Sequence, residues 1–239
     1  MTINYAHRGA SGYYPENTMI AFEKAIELGC DGIETDVQMT KDGILVLIHD
    51  ETVKRTTGKE GWVKDYTYEE LKNLNAANYF GLKDSFHPIP KAEDLLALAK
   101  KHNILVNYEI KTGIVFYPGI EGKLIQLIKD YNMENNVIIS SFNHYALVDC
   151  NNIAPEIKTA ILYGEGLYHP ERYCKDIGAM ALHPAFYTIT SEIVRDAHRE
   201  GLIIQPYTVN DEDTMKRLIS LGVDGIITNY PDKLKKYCK

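Results

Sequence analysis

Short runs of β-branched and apolar residues alternate with amphipathic stretches along most of this chain, and few folds accommodate that pattern. Eight runs can be counted, at residues 3–7, 32–37, 105–110, 137–141, 158–162, 179–182, 203–207 and 225–228. Helical patterns such as 20–28, 94–101 and 211–221 lie between them. Repeated βα units build a parallel sheet, and eight of them close into a (β/α)8 barrel. With 239 residues, 45% of them hydrophobic, the chain has the length and the apolar content for one such domain, 1–239.

The alternation breaks between about residues 41 and 90. Thr40-Lys41-Asp42-Gly43 reads as a turn and residues 44–48 as a further strand, so a hairpin extends the second barrel strand. An irregular excursion with Trp62 and a short helix near 69–74 follows, which makes 41–90 an insertion; inserted segments of this length commonly carry function. Asn17 or Thr18 can cap the first helix, and Gly29 stands where it should stop. The run Lys233-Leu234-Lys235-Lys236 reads as a solvated helix end.

Residues two apart on a strand share a face, so Glu34 and Asp36 point one way while Ile33 and Val37 point the other. The same spacing groups Asn107, Glu109 and Lys111 on the next strand. If those faces turn into the barrel, three carboxylates surround one point near the C-terminal strand ends, where barrel enzymes keep their active sites. Carboxylates so placed repel each other unless a positive charge lies among them. A single divalent cation answers this, and an all-oxygen ligand set favours Mg²⁺ or Ca²⁺ over zinc. The alternative is a structural ion pair of Glu34 or Asp36 with Arg8 or Lys111.

The first strand ends in His7-Arg8-Gly9-Ala10, which sets an imidazole and a guanidinium at the mouth. Arg8 offers a planar fork for phosphate oxygens, Lys111 a second positive charge, and a histidine exchanges protons near neutral pH. His49 closes the hairpin that returns toward the same rim, so His7 and His49 could flank one bound group as a general acid/base pair. His183 ends a strand and is a candidate rim contact; His87, His102, His144, His169 and His198 read as structural or surface residues.

Composition excludes other classes. A net charge of −7 argues against a surface that tracks nucleic acid. The first six residues lack a secretion signal and no stretch reaches membrane-spanning length, which gives the expectation of a cytoplasmic protein. Cys30, Cys150, Cys174 and Cys238 are scattered without a Cys-x-x-Cys pair and read as reduced thiols.

Taken in order, His7-Arg8-Gly9, Pro15-Glu16-Asn17-Thr18, Glu34-Thr35-Asp36-Val37, Thr40-Lys41-Asp42-Gly43, His49-Asp50, Glu109-Ile110-Lys111, Ser140-Ser141-Phe142, Thr208-Val209-Asn210 and the run from Gly225 to Pro231 resemble the glycerophosphodiester phosphodiesterases. The series covers essentially the whole chain. The resemblance implies an α/β fold, a TIM (β/α)8 barrel with a small inserted subdomain after the second strand. It also implies metal-dependent hydrolysis of small-molecule glycerophosphodiesters to glycerol 3-phosphate and an alcohol. By the same resemblance Glu34, Asp36 and Glu109 bind metal, His7 and His49 act as acid and base, Arg8 and Lys111 bind phosphate, and Glu16 belongs to the supporting or substrate-contacting shell. Tyr207 stands where the family usually has Trp, as a substrate contact or a packing aromatic. Similar enzymes are thought to let the glycerol 2-hydroxyl attack first, giving a cyclic phosphate; a metal-activated water is the rival. Lysophospholipase D action and a catalytically idle ligand-binding barrel are the alternative functions.

Overall fold

A computed structural model describes residues 1–81 and 85–238; residues 82–84, within the expected insertion, and residue 239 lie outside the described set. The strands are β1 (Ile3–His7), β2 (Gly32–Met39), β3 (Leu45–Leu47), β4 (Leu105–Ile110), β5 (Val137–Ser141), β6 (Lys158–Tyr163), β7 (Ala181–Pro184), β8 (Ile203–Ile204) and β9 (Gly225–Thr228). The helices are α1 (Met19–Glu27), α2 (Lys54–Thr57), α3 (Tyr68–Leu71), α4 (Ala92–His102), α5 (Ile120–Asp130), α6 (His144–Ile153), α7 (Pro170–Asp176), α8 (Ser191–Arg199), α9 (Glu212–Leu221) and α10 (Pro231–Lys235).

Eight strands pair in parallel in the order β8-β7-β6-β5-β4-β2-β1-β9, and β3 pairs antiparallel with β2. Backbone bonds close the seam between β8 and β9: Asp224 N–H donates to Ile204 O, Ile227 N–H to Pro206 O, and Val209 N–H to Ile227 O. The barrel is therefore complete, with one (β/α) unit per barrel strand. The eighth strand is shorter than the 203–207 expected: Gln205 and Tyr207 N–H still donate to Leu182 O and Pro184 O of β7, but Pro206 has no N–H to offer on its other side.

Alternation divides the residues as their pattern demands. Ile33, Val37, Val106, Tyr108 and Ile110 pack outward with Phe22, Leu95, Leu96 and Leu124 in the layer between strands and helices. Tyr108 also donates its hydroxyl to Ala92 O at 2.7 Å, fixing β4 against α4. Inside the barrel, Gly32 is required where the Tyr5 ring passes, since a Cβ there would lie 2.6 Å from it. Thr18, not Asn17, caps α1 by accepting from Ala21 N–H, and Gly29 turns the chain out of that helix at φ +81.

Between β3 and β4 the chain leaves the barrel plan through α2 and α3, with its own small core of Val46, Ile48, Val53, Val63, Leu71, Ala76 and Ile89. This is the insertion after the second barrel strand. Among the described residues no helix is long and apolar enough to cross a membrane.

Candidate active site

The site begins with register. β2 and β4 run side by side with Asp36 level with Glu109 and Glu34 level with Asn107, while β1 sets His7 level with Glu34. Neighbouring strands thus present Glu34, Asp36 and Glu109 inward, and a donor oxygen of each lies within 4.8 Å of the others. All three are buried.

The turn after β1 brings in positive charge. Arg8 and Gly9 both adopt left-handed backbone, at φ +55 and φ +81. Gly9 is obligatory on space as well, since a Cβ would lie 2.7 Å from the Ala21 backbone. A non-glycine residue held in this region costs on the order of 1 kcal/mol, a strain commonly found at functional sites. It places the Arg8 guanidinium Nε 3.2 Å from Asp36 Oδ2 and Nη1 2.9 Å from Glu16 Oε1, with the Arg8 backbone N–H 3.2 Å from Glu34 Oε2. Lys111 Nζ lies 2.9 Å from Glu109 Oε1 and 3.8 Å from Asp36 Oδ1.

These ion pairs do not exhaust the carboxylates. Asp36 Oδ1 is buried without a hydrogen-bond partner among the described residues, and Glu34 Oε2 faces the His7 ring, 3.8 Å from its Nε2. Burial, then repulsion from Asp36 and Glu109, holds Glu34 well above the usual carboxylate range. Burial, then Asp36, also raises Glu109, though Lys111 opposes it. Burial works to raise Asp36 too, but Arg8 and then Lys111 hold it down. Three buried carboxylates facing two fixed cations leave room for one more positive charge. The oxygen-only donor set fits a hard divalent ion, which Glu34, Asp36 and Glu109 could hold.

Both candidate proton carriers are anchored through Nδ1. His7 Nδ1 lies 2.6 Å from Asn229 Oδ1, and His49 Nδ1 lies 2.8 Å from Asp50 Oδ1. Each partner oxygen accepts, so each ring keeps its proton on Nδ1 and has Nε2 for chemistry. Burial, then the neighbouring Arg8 charge, lowers His7 to about 4. His49 sits within electrostatic reach of Asp36 and Glu109. Gln38 Nε2 steadies its loop by donating to the carbonyls of Ile48, His49 and Asp50 at 2.7–3.1 Å.

The structure thus brings His7, Arg8, Glu34, Asp36, His49, Glu109, Lys111 and Glu16 to one mouth. Tyr207 is tied down: its hydroxyl donates to Tyr163 O at 3.1 Å and its ring meets Phe142 edge-on at 5.9 Å. His183 corrects the sequence reading. It is not a rim contact but fully buried inside the barrel, 2.9 Å from Gln205 Oε1 and beside Asn107.

Three supporting residues escaped the sequence reading. Asn17 donates to Asp36 Oδ2 at 2.8 Å and accepts from the Thr35 hydroxyl at 2.7 Å, so the residue offered as a helix cap instead orients a carboxylate. Asn229 orients His7; its place directly after β9, inside the run from Gly225 to Pro231, is the signal that marks it. Arg55 contacts both Glu16 and Asp50.

With this geometry in hand, comparison with known proteins is decisive. The model of the glycerophosphoryl diester phosphodiesterase family matches residues 7–233. The chain belongs to that family. It is 51% identical over 233 residues to a glycerophosphodiester phosphodiesterase of Caldanaerobacter subterraneus, covering 98% of this chain and 96% of that protein. A Bacillus altitudinis glycerophosphodiester phosphodiesterase is 44% identical, with 99% and 98% covered. Among solved structures, an Oleispira antarctica phosphodiesterase in complex with the product sn-glycerol-3-phosphate superposes with a TM-score of 0.87 at 26% identity, covering 99% of this chain and 96% of that one. Membership and the level of identity make this chain a phosphodiester hydrolase with a small-molecule glycerophosphodiester substrate.

Proposed function

We propose that the chain hydrolyses glycerophosphodiesters to glycerol 3-phosphate and an alcohol, with Glu34, Asp36 and Glu109 holding one Mg²⁺ or Ca²⁺ and His7 and His49 moving the protons. The observation that carries this reading is the convergence of Glu34, Asp36 and Glu109, with Asp36 Oδ1 buried without a hydrogen bond among the described residues and Lys111 no closer to it than 3.8 Å. The product bound to the Oleispira phosphodiesterase supports the choice of product.

When bound, the ion supplies a Lewis acid for the phosphodiester oxygens. Arg8 and Lys111 hold the remaining phosphate charge beside it, preorganised by their carboxylate partners. Nε2 of one neutral ring takes the proton of the attacking hydroxyl, while the other ring enters as imidazolium, protonated on both nitrogens, and gives its Nε2 proton to the departing alkoxide. The attacking group we favour is the glycerol 2-hydroxyl, which closes a cyclic phosphate that water then opens. Diesters without the vicinal hydroxyl are then poor substrates, and equal turnover of such an analogue overturns this step. Glu16 acts through Arg8, and the anchored Tyr207 ring borders the mouth.

The test is a coupled assay for glycerol 3-phosphate across several head groups, with EDTA treatment, add-back of Mg²⁺ or Ca²⁺, and a His7→Ala control. A folded protein releasing no glycerol 3-phosphate with either ion refutes the reading. One observation favours a second substrate: Ile114, Phe116, Phe142 and Tyr187 are exposed on loops that follow barrel strands, an apolar surface suited to a lipid-bearing diester. Comparing glycerophosphocholine with a long-chain lysophospholipid separates the two.

A further inference from the structure

We propose that Arg55, supplied by the insertion, is a positioning residue that holds His49 and Arg8 in place through a single guanidinium. The proposal rests on the function given above for those two residues. Arg55 lies in α2, outside the barrel. Its Nε donates to Asp50 Oδ2 at 2.7 Å and its Nη2 to Asp50 Oδ1 at 2.9 Å, making one fork. Its Nη1 donates to Glu16 Oε2 and its Nη2 to Glu16 Oε1, both at 2.8 Å, making a second.

Each carboxylate so gripped already serves a second residue. Asp50 Oδ1 accepts from His49 Nδ1 at 2.8 Å, and Glu16 Oε1 accepts from Arg8 Nη1 at 2.9 Å. A continuous chain therefore runs from His49 through Asp50, Arg55, Glu16 and Arg8 to Asp36, joining insertion to barrel across the mouth. Tyr79 completes the setting: its hydroxyl accepts from Glu16 N–H at 3.0 Å and its ring lies 5.9 Å from the Arg55 guanidinium carbon.

A double fork of this kind adds some stability, but the Arg55 side chain is 40% exposed, which limits that share. What the geometry supplies is placement, and only a planar fork can serve two carboxylates in this way; a lysine ammonium cannot.

The experiment is steady-state kinetics of Arg55→Ala, Arg55→Lys, Asp50→Asn and the Arg55→Ala/Asp50→Asn double variant, each with a thermal melt. Arg55→Ala is expected to melt within a few degrees of wild type while kcat falls about 10- to 100-fold and KM for the diester rises several-fold. Asp50→Asn is expected to lower kcat with little change in KM. The double variant should be no more than about threefold worse than Arg55→Ala alone, because both changes act through His49. If Arg55→Ala does not fold, Arg55→Lys carries the same expectation of lost kcat and raised KM. A folded Arg55 variant within twofold of wild type, or fully multiplicative losses in the double variant, overturns the proposal. Wild-type release of glycerol 3-phosphate in the same assay decides the function, and the ratio of variant to wild type decides Arg55.

Discussion

Among the described residues two groups of ligand-type side chains gather, and they differ in how their charge is met. Glu34, Asp36 and Glu109 lie inside the barrel mouth; His169, Glu171 and Asp196 lie on α7, α8 and the residue before α7, and in both sets the donor atoms fall within 4.8 Å of one another. In the outer group His169 Nδ1 sits 2.8 Å from Glu171 Oε1, and Asp196 Oδ1 has Arg195 at 3.0 Å and Arg199 at 3.5 Å. Arg195, and then Arg199, hold Asp196 below the usual carboxylate range. Every acid there has a basic neighbour. At the mouth Arg8 and Lys111 meet Asp36 and Glu109, but Glu34 has no Lys or Arg ion pair among the described residues and is driven toward protonation. Asp36 Oδ1 is buried there without a hydrogen bond. Proximity of carboxylates is therefore no sufficient sign of a metal site; the site proposed at the mouth rests on the charge left unmet at Glu34.

The widest separation between the two groups should appear in turnover. Asp36→Asn is expected to lower kcat/KM on the order of 10⁴-fold, since several kcal/mol of transition-state stabilisation go with the ion. Glu171→Gln should leave turnover unchanged and cost about 1–3 kcal/mol of stability, as expected for a buried group losing its charged partner. If Glu171→Gln abolished turnover in a folded protein, the comparison would fail. Next in size, His49→Ala should lose on the order of 10²- to 10³-fold in kcat, yet still bind the ion, which separates proton transfer from metal retention. Loss of the ion along with activity would contradict that division.

Much of this site was legible in the sequence because strand alternation is strict. Once β2 and β4 are neighbours, Glu34, Asp36 and Glu109 must share the interior whatever else the chain does. His49 needed the hairpin as well, and the antiparallel pairing of β2 with β3 supplies it. Arg55 was not legible: its partner Glu16 lies 39 positions away on a different loop, and no periodicity links them. Asn17 was misplaced because its type suits a helix cap as readily as a carboxylate contact. His183 showed the limit of reading strand ends, since one residue of register separates rim from interior.

That interior layer gives an effect on stability rather than rate. Burial lowers His183 from its ordinary 6.5 to about 4, only partly offset by Gln205. The folded state then takes up a proton less readily than the unfolded chain, so the contribution is intact above pH 6.5 and is lost as pH falls toward 4, on the order of 3 kcal/mol in all. Denaturant titrations across that window should show a flatter loss for His183→Gln than for wild type. Equal slopes would mean that the layer below the mouth is not held neutral.

The central claim is that the mouth, and not the outer group, holds a cation. Calorimetric titration of metal-stripped protein with Mg²⁺ and with Ca²⁺, for wild type, Asp36→Asn and Glu171→Gln, tests it directly. Wild type and Glu171→Gln are expected to bind one ion per chain, and Asp36→Asn none. Unchanged binding in Asp36→Asn, or binding lost only in Glu171→Gln, would contradict it.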